Sequence, residues 1–400
     1  MPTFDVVILG ATGFTGQWQW VVKYFNTVAG DKYSWAIAGR NMSKLEEIAA
    51  GTTAKCVQVD ISSVDTIERA VRDAKLVLNC TGPYRLLGEP VVKACVENGV
   101  DYLDISGEPE FIEAMELRYN EAASHSGSIV ISACGFDSIP SEIGLNFLRD
   151  NFRGELHRAE AFLSINAAIG YCGHATTWDC AVMGFGSQDA LKALRSLRKS
   201  PRIEYKGKRN STRSFALHGN RTIPFPGSDA SIVRRSQQGF ALRDKTPVRF
   251  SIYAVVGSVA SLMGISFTGL CLSLFSRFSS GRSLLMKFAE FFTFGVFSRK
   301  GPPNESIAGT SFDITFLGKG FDEEGNPLTK RATVSGPEPG YDATSKILVS
   351  CALTLLEERG KVFDNLGEQG GVSTSALAFD GTDIVYNLES AGLEFKIKVV

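Results

Sequence analysis

Short apolar runs, each closed by glycine or a polar residue and followed by a longer stretch with helical spacing, recur through the first third of the chain. The first is Val6–Leu9, ending at Gly10; then come Ser34–Arg40, Lys55–Asp60, Leu76–Cys80, Tyr102–Ile105 and Ile129–Ala133. Runs this short that are apolar throughout read as strands buried on both faces, and the stretches between them, such as 17–28, carry the spacing of amphipathic helices. Regular alternation of the two predicts a doubly wound parallel α/β sheet over residues 1–150.

The rhythm changes after residue 150. Strand-like stretches at Ala159–Ile165, Ser311–Leu317 and Arg331–Ser335 are separated by long helical or irregular tracts, which predicts a second, α+β domain over 151–372 for substrate or dimerisation, with 373–400 packing back towards the first domain. The basic, turn-rich stretch Arg195–Arg221 reads as an exposed loop or flap. Phe250–Ser276 holds no charged residue and is bracketed by Arg249 and Arg277, but Gly257, Ser258, Ser261, Gly264, Ser266, Thr268 and Gly269 dilute it. Three readings stay open: a helix pair buried in the core or a dimer interface, a hairpin dipping into a membrane or droplet surface, and a true span. The aromatic-rich stretch Ser283–Phe297, closed by Arg299 and Lys300, predicts an amphipathic interfacial helix. Together, 250–297 point to a lipid surface and a lipid-like substrate, with a homodimer as another way to cover the same residues.

Composition narrows this. A chain of 400 residues, 44% of them hydrophobic, can bury cores for two or three domains. The formal charge of −1 and the lack of a basic tract interleaved with aromatics argue against nucleic acid as a partner. Eight cysteines lie scattered, with no C-x-x-C pair and no secretory signal ahead of the first strand, which implies free thiols and an intracellular location. Cys172, His174, Asp179 and Cys180 match no zinc spacing, so no metal is expected. The organelle stays open between a lipid droplet, the cytoplasmic face of a membrane and mitochondria.

Candidate chemistry begins at "VVILGATGFTG". Gly10, Gly13 and Gly16, three apart after a strand and before a helix, suit a tight turn, close backbone approach to a pyrophosphate and helix-on-strand packing; Thr12, Phe14 and Thr15 complete the loop. The second strand ends in Arg40, with Lys44 a helical turn on, where an NAD site would carry an acidic residue for the ribose hydroxyl. A guanidinium and an ammonium there favour the 2′-phosphate of NADP over NAD. Ligands of such sheets lie across the carboxyl ends of the strands. Asp60 is then placed for the adenine amine, and Thr81, Gly82, Pro83, Ser106, Gly107, Cys134, Gly135 and Phe136 for the nicotinamide half. Candidate proton or hydrogen-bond donors are Tyr84, Asp137 and His174. The alternatives are cofactor stacking for Tyr84, helix capping for Asp137 and a purely structural role for His174.

The motifs G-A-T-G-F-T-G at 10–16, A-G-R at 38–40, N-C-T-G-P-Y at 79–84, Y-L-D-I-S-G-E at 102–108, G-F-D-S-I-P at 135–140 and G-P-E-P-G-Y at 336–341 resemble the saccharopine dehydrogenase-like oxidoreductases. That family includes mycobacterial trans-acting enoyl reductases and animal lipid-droplet-associated members. The resemblance spans the chain and implies a Rossmann-fold, NADP-linked reductase of an enoyl or carbonyl group in a lipid or lipid precursor, with a role in lipid or glycolipid metabolism. True saccharopine dehydrogenases need several cationic groups for multiple carboxylates, and the long uncharged stretch disfavours such a substrate. The competing reading is a catalytically silent nucleotide-binding scaffold on membranes or lipid droplets.

Overall fold

Val6, Val7, Ile8, Ala36, Ile37 and Leu78 have essentially no exposed surface, as strands covered on both faces require. They belong to the first of two sheets in a computed structural model that describes residues 2–13, 17–198, 203–206, 216–217 and 220–399. The strands are β1 (Phe4–Leu9), β2 (Trp35–Gly39), β3 (Lys55–Gln58), β4 (Ala74–Asn79), β5 (Asp101–Asp104) and β6 (Ile129–Ile131), all in parallel pairings. A short strand, Gly371–Ser373, adds to β6, so the spatial order runs from it through β6, β5, β4, β1 and β2 to β3. The connecting helices carry their own signals. Helix Pro109–Ser126 starts with proline in its first turn and stops at Gly127, whose φ of 75° is the left-handed cap glycine adopts without strain.

The chain divides into two compact units, 1–139 with 341–391, and 140–340 with 392–400. This differs from the division expected at 150 and 372. Residues 341–372 belong with the first unit, which the helix Thr344–Glu357 helps to build, and only the last strand, Glu394–Val399, leaves it again. Helical periodicity shows that 344–357 buries a face, but not against which sheet.

In the second unit the longest strand is β7 (Gly154–Ala167), which lies between the antiparallel strand Thr310–Asp322 and the parallel strand Arg249–Val256. Strand Pro327–Pro337 pairs with Thr310–Asp322 across a turn in which Asp322 Oδ1 accepts Asn326 N–H at 2.7 Å, and Glu394–Val399 forms the edge beyond it. Phe312, Ile314 and Phe316 alternate onto the buried face. A Cβ on Gly144 would sit 2.6 Å from the Phe316 ring, so glycine lets the helix Ile139–Asp150 settle on it.

The uncharged stretch resolves into two elements. Its first residues form the strand Arg249–Val256; Ser258 then accepts Ser261 N–H at 3.0 Å and starts the helix Val259–Phe275. Among the described residues no helix is long and apolar enough to cross a membrane, which removes the basis for the spanning reading. The single interfacial helix expected over 283–297 is instead two short ones, Ser279–Lys287 and Ala289–Phe292, broken at Phe288. With Ala175–Gly186 these helices enclose a small core of Trp178, Val182, Cys271, Leu272, Leu285 and Phe292, pinned by Trp178 Nε1–H donating to Leu285 O at 2.9 Å. Of the helix 259–275 only Cys271 and Leu272 are buried.

Candidate functional site

The strand order reverses direction between β1 and β4, and Gly10 occupies that switch point. Its φ is +91°, and a Cβ there would lie 2.6 Å from Thr81 Cγ2 and 3.0 Å from the Cys80 carbonyl carbon, so the turn after β1 and the end of β4 approach as only glycine permits. Gly10 N–H donates to Ala38 O at 2.8 Å and Gly13 N–H to Gly10 O at 2.9 Å, which closes the turn. A Cβ on Gly39 would meet Thr12 Oγ1 at 2.9 Å, so Thr12 packs over the end of β2. This tight glycine turn at the switch point, at the carboxyl edge of the sheet, fits a dinucleotide pyrophosphate. Phe14, Thr15 and Gly16 of the expected loop lie outside the described residues, as does most of the Arg195–Arg221 stretch.

Arg40, Gln58, Asp60, Thr66 and Arg69 line a cavity of about 600 Å³ that also takes in Phe4 and Asp73, beside the amino ends of β1 and β4. Gln58 Nε2 donates to Arg40 O at 3.2 Å, and Asp60 Oδ1 accepts Ser62 N–H at 3.0 Å. Those bonds from Ser62, helped by the charge of Arg40, hold the Asp60 carboxyl below its ordinary range, so it stays an acceptor. Asn41 caps the helix Met42–Ala49 by accepting Lys44 N–H, and the Lys44 side chain is exposed.

On the β4 side of the switch point three segments follow β4, β5 and β6. Thr81 N–H donates to Asn79 Oδ1 at 3.1 Å, and Gly82 and Pro83 are joined by a cis peptide. Tyr84, which follows them, is buried. Its hydroxyl donates to Asn79 O at 2.9 Å and accepts Ile105 N–H at 3.4 Å, its N–H donates to Glu108 Oε1, and its ring lies 5.6 Å from that of Phe111. Burial, then the nearby Asp104, push the phenol well above its ordinary value, so Tyr84 braces the strand ends from within. Ser106 N–H donates to Asp104 Oδ1 at 2.9 Å, and Cys134 N–H to Asp104 O at 2.6 Å. A Cβ on Gly107 would lie 2.9 Å from Asp137 Oδ2, so the Asp137 carboxyl closes over the glycine, and burial raises its pKa. Gly135 and Phe136 are fixed by Thr344, whose Oγ1 accepts Phe136 N–H at 3.2 Å.

His174 belongs to the second unit. Its Nδ1 accepts Thr176 N–H at 3.1 Å as the N-cap of helix Ala175–Gly186, and Nε2 donates to Arg299 O at 3.1 Å. Both ring nitrogens are engaged in holding backbone, and burial depresses the imidazole pKa.

Sequence reasoning missed Asp104. It is fully buried and accepts Ser106 N–H and Ala133 N–H on one oxygen; desolvation pushes it up to about 6 against the pull of those two bonds. The signal was a charged residue inside the otherwise apolar run Tyr102–Ile105, where carboxylates are rare unless partnered. The pair of buried Glu108 with half-buried Arg85, 2.7 Å apart, gave no such signal.

Residues 6–131 match the family described as saccharopine dehydrogenase NADP binding domain. A saccharopine dehydrogenase-like oxidoreductase of Mus musculus is 38% identical over 98% of this chain and 97% of its own. A lipid droplet localized protein of Caenorhabditis elegans is 34% identical over 100% of this chain and 99% of its own. The apo saccharopine dehydrogenase (L-Glu forming) of Saccharomyces cerevisiae superposes with a TM-score of 0.57 over 99% of this chain and 100% of its own at 11% identity, a likeness of fold.

Proposed function

This chain belongs to the saccharopine dehydrogenase-like oxidoreductase family, and we propose that it uses NADPH to reduce an enoyl or carbonyl group of an apolar, lipid-like substrate at a lipid surface. Gly10 and Gly13 would hold the pyrophosphate, Arg40 the 2′-phosphate and Asp60 the adenine amine. Thr81–Pro83, Ser106–Gly107 and Cys134–Phe136 would frame the nicotinamide, which supplies a hydride when bound. Asp137 is the donor in this reading: a carboxyl with a raised pKa, lying over Gly107, can stay protonated and give a hydrogen bond or a proton to the substrate oxygen or carbon.

The observation that carries the lipid half of the proposal is the outer face of the helices spanning 259–292. Met263, Phe267, Leu270, Leu274, Phe291 and Phe294 are all substantially exposed, and Phe267 meets Phe294 edge to face at 5.7 Å, so the patch runs from the helix Val259–Phe275 to the turn after Ala289–Phe292. Soluble chains rarely leave large contiguous apolar patches uncovered without a partner for them. Arg277 and Lys287 flank the face, as expected of an interfacial element. The name of the nematode relative supports a droplet as that surface.

The test is NADPH oxidation by the purified protein with a cellular lipid extract, and mass spectrometry for lipids that gain two hydrogens. Such products, reduced in yield by Arg40→Ala and abolished by Asp137→Ala, support the proposal. Tight NADPH binding with no product replaces it by the scaffold reading.

A further inference from the structure

Two of the three strand-end segments assigned to the nicotinamide half hang from one buried carboxylate. Asp104, the last residue of β5, holds the backbone after its own strand through Ser106 N–H at 2.9 Å, and the backbone after β6 through Ala133 N–H at 2.8 Å, both on Oδ1. Its carbonyl accepts Cys134 N–H as well. Ala133 has φ of 63°, a left-handed conformation that costs a non-glycine residue about 1 kcal/mol or more and persists where neighbours over-determine it. The Asp104 carboxylate is the acceptor that does so.

The third segment joins through a web beside it. Tyr102 lies two residues earlier on β5, and its hydroxyl accepts Asn79 Nδ2–H at 3.1 Å. Asn79 Oδ1 in turn accepts Thr81 N–H, and the Asn79 carbonyl accepts the Tyr84 hydroxyl. The segments after β4, β5 and β6 are thus tied to Tyr102 and Asp104, two residues apart on one strand.

We propose that Asp104 is a positioning residue for the nicotinamide half of NADP: buried beneath the carboxyl edge, it sets the spacing of the segments after β5 and β6 on which that half rests. The inference rests on the placement of the nicotinamide at those segments. Asparagine keeps a carbonyl oxygen able to accept both N–H groups, whereas alanine removes the clamp and leaves two buried donors without it.

The test is binding, measured by titrating NADPH and adenosine 2′,5′-bisphosphate, which lacks the nicotinamide half, into wild type, Asp104→Asn and Asp104→Ala, with Asp104→Ser as a milder second truncation. Truncation should weaken NADPH about tenfold or more and the bisphosphate less than about twofold, since losing acceptors for buried backbone donors costs on the order of 1–3 kcal/mol locally. Asp104→Asn should recover most of the NADPH affinity. Equal loss for both ligands, no loss for either, or a folded Asp104→Asn no better than the truncations overturns the proposal. If wild type binds NADPH no more tightly than the bisphosphate, with no change in nicotinamide fluorescence, the placement itself fails and the proposal with it.

Discussion

Replacing Phe291 by serine and Phe294 by asparagine removes two rings from the apolar face, at 68% and 65% exposure. Asparagine suits position 294 because its φ is 52°, a conformation asparagine tolerates well. With about two-thirds of a ring surface of roughly 200 Å² exposed at each site, the pair presents about 260 Å². At about 25 cal/mol per Å², full burial in hydrocarbon would be worth about 6 kcal/mol, and insertion to half depth about 3 kcal/mol. That weakens partitioning about a hundredfold. Folding stability should move by less than about 1 kcal/mol, since substitutions at exposed positions rarely do more. Flotation of purified protein with phosphatidylcholine vesicles and with triacylglycerol droplets reads the first quantity, and a urea transition reads the second. A folded double variant that floats as wild type does refutes the reasoning. So does a wild-type dimer that dissociates in the variant while neither protein floats, because the face is then covered by a second copy.

Arg40→Ala should weaken NADPH about thirtyfold and leave NADH unchanged, given about 2 kcal/mol for the charge-assisted bonds of a guanidinium to phosphate; equal loss for both nucleotides by calorimetric titration would exclude the 2′-phosphate role. Gly10→Ala should destabilise the protein by about 2 kcal/mol or more, because the left-handed backbone and the Thr81 contact both oppose a Cβ, and an unshifted urea midpoint would contradict that. Asp104 titrates near 6 when folded and near 3.8 when unfolded, so the stability its proton brings is full below 3.8 and lost as pH rises through 6. Relative to Asp104→Asn, wild type should lose about 3 kcal/mol between pH 3 and pH 8, and a pH-independent difference in urea midpoints would rule this out. His174→Ala should cost about 1 kcal/mol through the lost helix cap, with His174→Asn recovering most of it. An altered pH–rate profile in His174→Asn would show that the imidazole also handles protons.

Which parts of this were legible depended on what kind of signal each residue carries. Strands β1, β2, β4 and β6 are largely apolar runs buried within the sheet, so composition alone marks them, and the glycine turn and Arg40 follow from their positions after β1 and β2, whereas β3 is an edge strand of mixed polarity that the βα rhythm rather than its composition marks. The strand Gly371–Ser373 has no such run: three residues with one apolar side chain pair with β6 through backbone alone. Within Phe250–Ser276 the absence of charge masked a change of element, although Ser258 was the capping residue that marked it. Tyr84 and His174 show the other limit. Residue type gave their chemistry, but only the hydrogen-bond partners show that the phenol and both imidazole nitrogens are engaged with the backbone.

The Gly371–Ser373 strand also bears on how the chain is made. During synthesis β1 to β6 emerge long before their last neighbour, and until residues 371–373 arrive β6 is an open edge with unpaired backbone groups. Between the two comes the whole second unit apart from its final strand. A fragment ending at Ile139 would carry the nucleotide loop on a sheet with that edge exposed and without helix Thr344–Glu357, leaving it prone to self-association. The nucleotide half is therefore begun ahead of the second unit and finished only after nearly all of that unit has been made.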